Sequence, residues 1–224
     1  MTKNIFSLTI LVAAASLILG SCRKYSPVEN DQQVGISKIT YYPIVTTTGE
    51  HLMILAQGAA YTDPGVTATV DGEPVPVVTT GAVNTAVPAV YNITYTATNK
   101  DGYSSSDWRT VVVIGSDVAN HDYSGNYLRT NGIPSTWTKT ATGVYDVDNP
   151  GGAAVGAGYI VKVVNYTGSK IAIPKQFAVD PTVGTPGIVS STSETYNAGD
   201  NPITYSWVFL AGGYGTGLRT FVKQ

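Results

Sequence analysis

The stretches Val90–Thr98, VYNITYTAT, and Trp108–Ile114, WRTVVVI, decide the fold of this chain. In the first, Tyr91, Ile93, Tyr95 and Ala97 alternate with polar residues, the period-two pattern of a strand with one buried face. NKDG (Asn99–Gly102) lies between the two and reads as a turn. Upstream, VTATV (Val66–Val70) alternates in the same way, and DGE (Asp71–Glu73) turns the chain. The prolines of PVPVV (Pro74–Val78) place that segment at a sheet edge, because proline has no N–H to give a ladder. ISKITYY (Ile36–Tyr42) and HLMILAQG (His51–Gly58) are further strand candidates. In Asp63-Pro64-Gly65, proline presets its φ and glycine is free to take φ > 0, as a turn requires. Tyr91 opens its strand as a tyrosine corner would. These short strands, separated by turn signals, predict an antiparallel β-sandwich.

Composition agrees. The 24 glycines, 12 prolines and 15 tyrosines are strand and turn chemistry. Only 12% of residues are charged and the net charge is −2, so no basic face exists to neutralise phosphates and no nucleic-acid partner is expected.

The N-terminus carries an address. Lys3 is followed by an uncharged apolar run, Ile5–Leu19. It is short for a bilayer span, which needs about 20 apolar residues. It has the length of a signal-peptide core, about 7–15 residues. Leu19-Gly20-Ser21-Cys22 resembles the lipobox of bacterial lipoproteins. The resemblance implies a thioether-linked diacylglycerol on Cys22, cleavage before it, and acylation of the new amino group. The alternatives are a plain secretory signal with an incidental cysteine, or an N-terminal membrane helix. Cys22 is the chain's one cysteine, so lipidation leaves no thiol for a disulfide or for reactive-cysteine chemistry. The expected organisation is a lipoprotein signal peptide over residues 1–21 and a lipid-anchored tether over 22–35. An Ig-like sandwich over 36–116 and a C-terminal antiparallel β-domain over 117–224 follow.

GSDVAN (Gly115–Asn120) marks the expected junction. Beyond it, STWTKTATGVYDVDNPGG, GYIVKVVNY, SKIAIPKQFAVD, GIVSSTSETYN and PITYSWVFLAGG suggest seven or eight strands joined in sequence. An up-and-down sheet folded on itself, barrel-like or sandwich-like, is the expected form. The last segment, LRTFVKQ (Leu218–Gln224), pairs into that sheet.

AYTDPGVTATVDGEPV (Ala60–Val75), with GAVNTAVPAVYNITYTATNKDGYSSSDWRTVVV (Gly81–Val113), resembles the bacterial immunoglobulin-like domain of cell-surface proteins. That resemblance implies a spacing or adhesion role and brings no catalytic residues. The order of lipobox, Ig-like domain and a β-domain containing YSGNY (Tyr123–Tyr127) and WTKTATGVYDVDN (Trp137–Asn149) is similar to a set of Bacteroidota lipoproteins. These are encoded beside starch-utilisation-type outer-membrane importers. The similarity implies an outer-membrane, surface-exposed lipoprotein, its partners being the membrane, an importer, and a glycan or peptide. In one respect the chain departs from that group, where surface export is linked to acidic residues just after the cysteine. Here Arg23-Lys24-Tyr25 follow, and Glu29 and Asp31 come later.

Catalytic chemistry finds no residue set. His51 and His121 lie far apart, outside any metal-ligand spacing. Asp146 and Asp148 share a face if their segment is a strand, and paired carboxylates about 5–9 Å apart can hydrolyse glycosides. DVDNPGG (Asp146–Gly152) also echoes a calcium loop, but the twelfth position is Ala157. A polar turn is the simpler reading. No G-x-S-x-G occurs, and AGGYGTG (Ala211–Gly217) precedes a strand where a phosphate loop would precede a helix. No enzyme activity, no metal and no cofactor beyond the lipid on Cys22 are expected.

Aromatics are the remaining signal. Tyr205, Trp207 and Phe209 share one strand face, and Trp137 and Tyr145 stand in the domain's first hairpin. Trp137, Trp207 and Tyr145 are therefore the candidate ligand-binding residues, as a stacking platform for a sugar or a peptide side chain. The competing reading makes them core. Trp108 is a separate case: with Val111 and Val113 inward, parity turns it outward, against the second domain or into solvent. The expected function is a non-catalytic, lipid-anchored envelope binding protein, accessory to glycan or peptide capture. A structural or adhesion subunit is the alternative.

Overall fold

The computed structural model describes Gln33–Val34, Ser37–Lys38 and residues 39–224. The expected signal peptide, Cys22 and nearly all of the tether lie outside the described residues. The chain divides into a unit ending at Tyr41 and a unit spanning Tyr42–Gln224. In the first, strands β1 (Gln33–Val34) and β2 (Ser37–Lys38) form a short antiparallel pair. The strand expected over ISKITYY is reduced among the described residues to Ser37–Lys38, and the sandwich begins further on.

The second unit opens with the Ig-like sandwich. One sheet has the order β3-β5-β6, formed by β3 (Ile44–Thr47), β5 (Val66–Val70) and β6 (Glu73–Pro74). The other has the order β4-β9-β8-β7, formed by β4 (Leu52–Ala56), β9 (Ser104–Ile114), β8 (Ala89–Thr98) and β7 (Val77–Thr80). The proline-rich segment does lie at sheet edges, with β6 and β7 each pairing on one side. The turn between β5 and β6 has φ 53° at Asp71 and 83° at Gly72, positive at both central residues, which suits the twist of a hairpin. One pair departs from the antiparallel expectation. β4 runs parallel to β9, because the chain crosses from one sheet to the other between β3 and β4 without reversing.

A buried polar network ties this sandwich together. Arg109 of β9 is fully buried. Its guanidinium donates to the carbonyls of Thr48 (2.7 Å), Gly65 (3.3 Å) and Glu50. Asp63 lies 3.4 Å from Arg109 Nε and accepts from the Tyr95 hydroxyl at 2.5 Å and the Gly65 N–H at 2.9 Å. Burial alone would raise the Asp63 pKa, but the bonds from Tyr95 and Gly65 and the charge of Arg109 outweigh it and hold the carboxyl below its ordinary value. The Asp-Pro-Gly turn, with Gly65 at φ 95°, is therefore locked to the last strand of the domain. The corner tyrosine also closes as expected, Tyr91 donating to the carbonyls of Asn84 (2.9 Å) and Val87 (2.8 Å).

A short 3₁₀ helix, Ser116–Val118, leads into nine antiparallel strands. These are β10 (Gly125–Arg129), β11 (Pro134–Ala141), β12 (Val144–Asp148), β13 (Ile160–Thr167), β14 (Lys170–Ala172), β15 (Gln176–Val179), β16 (Pro186–Asn197), β17 (Thr204–Leu210) and β18 (Leu218–Lys223). Their order, β14-β13-β12-β11-β10-β18-β17-β16-β15, seats the terminal strand between the first of the domain and β17. The sheet curls into a half-barrel. Hydrogen bonds join the two ends of this strand order: Gln176 of β15 accepts from the Lys162 N–H of β13 (2.9 Å) and donates to the Lys162 carbonyl (2.8 Å), and Ser191 of β16 accepts from the Ile173 N–H through its hydroxyl (2.7 Å) and donates its N–H to the Ile173 carbonyl (3.1 Å).

Two strands of the sandwich, β4 and β9, are covered on both faces, β4 half-buried and the second half of β9 fully buried, which explains their unbroken apolar runs. Met53, Leu55 and Val111 face the sandwich core. Leu52, Ile54, Val112 and Ile114 turn the other way and join Val144, Val164 and Tyr166 of the half-barrel in a shared apolar layer. Trp108 has the same parity. It is outward from the sandwich as expected, but buried, its ring 5.7 Å from that of Phe177 and 4.4 Å from Lys175 Nζ.

Candidate functional site

The three aromatics expected to form a platform are core residues. Trp137 is 2% exposed, and Trp207 and Tyr145 are 0% exposed. They fill the half-barrel with Tyr127, Tyr205, Phe209 and Phe221, the Trp137 and Trp207 rings stacking at 5.7 Å. The physical reason is the curl of the sheet. Alternation puts these side chains on its concave face, and the concave face of a sheet this tightly curled is an interior. Trp207 Nε1 donates to the Pro150 carbonyl at 2.8 Å, and the Tyr145 hydroxyl to that of His121 at 3.2 Å. With the lumen filled, a ligand must bind at an end or on the outside.

The other candidates are also engaged. His51 lies 3.1 Å from Asp107, and His121 Nδ1 lies 2.8 Å from the Asn165 side-chain oxygen. Asp146 is paired with Lys162 at 2.7 Å, and Asp148 accepts from the Gly158 N–H at 2.7 Å. The calcium-loop echo is a turn pinned by Asn149, which has φ 54° and bonds to Pro134 and Ala153. Among the described residues no group of three or more His, Cys, Asp or Glu is placed to hold a metal.

Where β10 and β17 end and β18 begins, three loops rim the mouth of the half-barrel. Arg129 stands opposite Phe221 in the β10–β18 pairing, and Arg219 stands opposite Trp207 in the β17–β18 pairing. Both arginines thus share the concave face of the aromatic core and cap its last rung. They line a cleft of about 490 Å³ with Tyr214, Asp180, Val155 and Val183. Gly151, in the Pro150-Gly151-Gly152 turn, lines it as well. A Cβ on Gly151 would overlap the Tyr214 ring, and one on Gly152 would come within 2.6 Å of Arg129 Cδ.

Arg219 is 7% exposed, and its Nε, also buried, has no hydrogen-bond partner. Its Nη1 donates to the Gly217 carbonyl at 3.2 Å and its Nη2 to that of Tyr214. Arg129 donates to the Gly152 carbonyl at 3.1 Å. Neither arginine forms an ion pair among the described residues. Burial, then the like charge of Arg129, lowers the Arg219 pKa. The side chain stays cationic all the same, since a guanidinium does not lose its proton in proteins.

Among the described residues three other clefts lie between sandwich and half-barrel, and the one of about 400 Å³ is lined by no charged side chain. One of about 580 Å³ contains His51, Asp146 and Lys162, and one of about 440 Å³ contains Trp108, Lys175 and Glu194. Most of their charged side chains already have partners: Lys162 for Asp146, Asp107 for His51, the Trp108 ring for Lys175 and the Ser191 hydroxyl for Glu194. Among the described residues, the mouth cleft is the one that holds a buried cation with an idle donor. Aromatic counting passed over Arg129 and Arg219. The signal was parity: Arg129 is in phase with Tyr127, and Arg219 with Phe221, so a charge falls on an inward face twice.

Comparison with known proteins bears on the sandwich. The sequence model of a family described as bacterial surface protein, Ig-like domain, matches residues 45–113. No curated protein matches the chain. Among solved structures, a lipoprotein from Bacteroides thetaiotaomicron aligns over 81% of this chain and 100% of its own, with 21% identity and a TM-score of 0.37. A Clostridium perfringens ZmpB structure, comprising an M60 catalytic domain with two CBM51 domains, aligns over 83% of this chain and 21% of its own, with 12% identity and a TM-score of 0.30. The chain thus contains a domain of a type found in bacterial surface proteins, joined to a curled antiparallel half-barrel.

Proposed function

We propose that this chain is a lipid-anchored binding protein of the bacterial outer membrane, exposed at the surface, that helps capture a glycan or peptide for an outer-membrane importer. The observation that carries the binding role is Arg219, a buried guanidinium with an idle Nε in an open cleft. A buried donor left unsatisfied costs about 1–3 kcal/mol, more when charged. Beside it Arg129 adds a second guanidinium with no carboxylate partner among the described residues, and an anionic ligand in the cleft would offset the charge of both. The protein works by contact: it uses no catalytic residues, metal or cofactor, and its one covalent group is the lipid on Cys22. The Ig-like domain is a spacer, and its shared apolar layer with the half-barrel makes it a stiff one.

Calorimetry of the leaderless chain against a panel of glycans and peptides tests the binding role. Saturable heat with one member is the expected result, and none with any member would overturn it. Mass spectrometry of Cys22 in the native protein tests the anchor. A specific observation favours a second reading, a structural subunit of a surface complex. Phe177, Val179 and Ile188 form an exposed apolar strip on β15 and β16, each about half exposed. Co-purification with an importer that is lost on Ile188→Asp, without any ligand binding, would support it.

A further inference from the structure

We propose that the mouth cleft is a site for an acidic sugar residue whose carboxylate is held by Arg129 and Arg219. This rests on the reading of the chain as a binding module and names its ligand class. Two guanidinium groups share one cleft, and neither has a carboxylate partner among the described residues. The cleft's one acidic residue, Asp180, caps its own turn, accepting from the Thr182 N–H (2.8 Å) and hydroxyl (2.6 Å). Like charges side by side on a filled core repel, and an anion between them relieves both. Each guanidinium has five N–H donors, and only some are spent on the carbonyls of Gly152, Gly217 and Tyr214. The planar fork suits a carboxylate, which it can bind through two parallel bonds.

The rest of the cleft points to a sugar. Val155 and Val183, 67% and 68% exposed, offer apolar contact for the C–H face of a ring. Both arginine-bearing strands are interior to the sheet: β10 lies between β11 and β18, and β18 between β10 and β17. No free edge therefore stands at the arginines for a peptide to extend by strand pairing. A cleft of about 490 Å³ suits a compact ring or two better than an extended chain.

The test is calorimetry on the leaderless chain with three probes: a hexuronate oligosaccharide, its carboxyl-reduced neutral counterpart, and a short peptide with a free C-terminal carboxylate. The hexuronate should bind, more weakly as salt rises, and its reduced counterpart about tenfold more weakly still. Arg219→Gln should lower hexuronate affinity by about tenfold, and Arg129→Gln should act in the same direction. Val183→Glu adds a negative charge at an exposed rim position, so it should weaken hexuronate binding with an unchanged melting temperature even if Arg219→Gln fails to fold. Equal binding of the acidic and reduced oligosaccharides, insensitive to these substitutions, would overturn the acidic site and leave the binding function standing. Preference for the peptide would overturn it too. Binding of none of the three would count against both.

Discussion

Replacing Trp207 by alanine separates a core residue from a binding platform. The indole is fully buried, stacks on Trp137 at 5.7 Å, lies 4.7 Å from the Tyr205 ring and donates to the Pro150 carbonyl at 2.8 Å. Truncation to alanine removes those contacts and leaves a cavity, which for a buried tryptophan costs about 3–5 kcal/mol. The Pro150 carbonyl also loses its donor, for about 1 kcal/mol more. For a chain of this size each kcal/mol lowers the melting temperature by roughly 2–4 °C, so a fall of roughly 8–24 °C is expected. Calorimetric or circular-dichroism melts of the leaderless chain measure it, with the exposed Val183→Ala as a control expected within about 0.5 kcal/mol of wild type. Trp207→Phe should fall between, since it keeps much of the stacking and loses the N–H. If Trp207→Ala melts with the wild type but loses glycan binding, the ring is a platform and the assignment of the half-barrel interior is refuted.

Further outcomes follow from the same contacts. Asp63 and Asp107 are both held below the ordinary carboxylate pKa, because hydrogen bonds from Tyr95 and Thr47 respectively outweigh the opposing effect of burial. Their contribution is present above the unfolded value, about pH 4, and is lost as pH falls through the folded one, so Asp63→Asn should flatten the acid limb of a melting-temperature profile. Burial pushes Tyr123 and Tyr159 up to about 12. Their neutral forms stabilise the fold below about pH 10, and that is lost as pH rises towards 12, so tyrosinate absorbance should appear together with unfolding. Gly151→Ala forces the Tyr214 ring to move, and should cost about 1–3 kcal/mol in a denaturant titration and weaken binding at the mouth. Val112→Asp puts an unpaired charge in the layer shared by sandwich and half-barrel, and should abolish cooperative unfolding of the leaderless chain.

Much of the sandwich was legible because one face of each strand writes itself as alternation. VYNITYTAT, the Asp-Gly turn and the Asp-Pro-Gly turn all appear as read. The two-sided burial of β4 and β9 was less legible, since a continuous apolar run does not say what covers its second face. WRTVVVI by itself does not show that Arg109 is buried, because the groups that compensate its charge, Asp63 and Tyr95, come from distant segments.

What the sequence determined alone is the local grammar: which segments extend, where they turn, and that the Tyr205, Trp207 and Phe209 side chains share a face. Parity and φ preference act over a few residues, so they can be read from a few residues. Whether that shared face meets water or its own sheet depended on how far nine strands curl, a sum over the whole domain. Tertiary structure therefore decided that the tryptophans are interior, and that two arginines about 90 residues apart in sequence meet at one mouth.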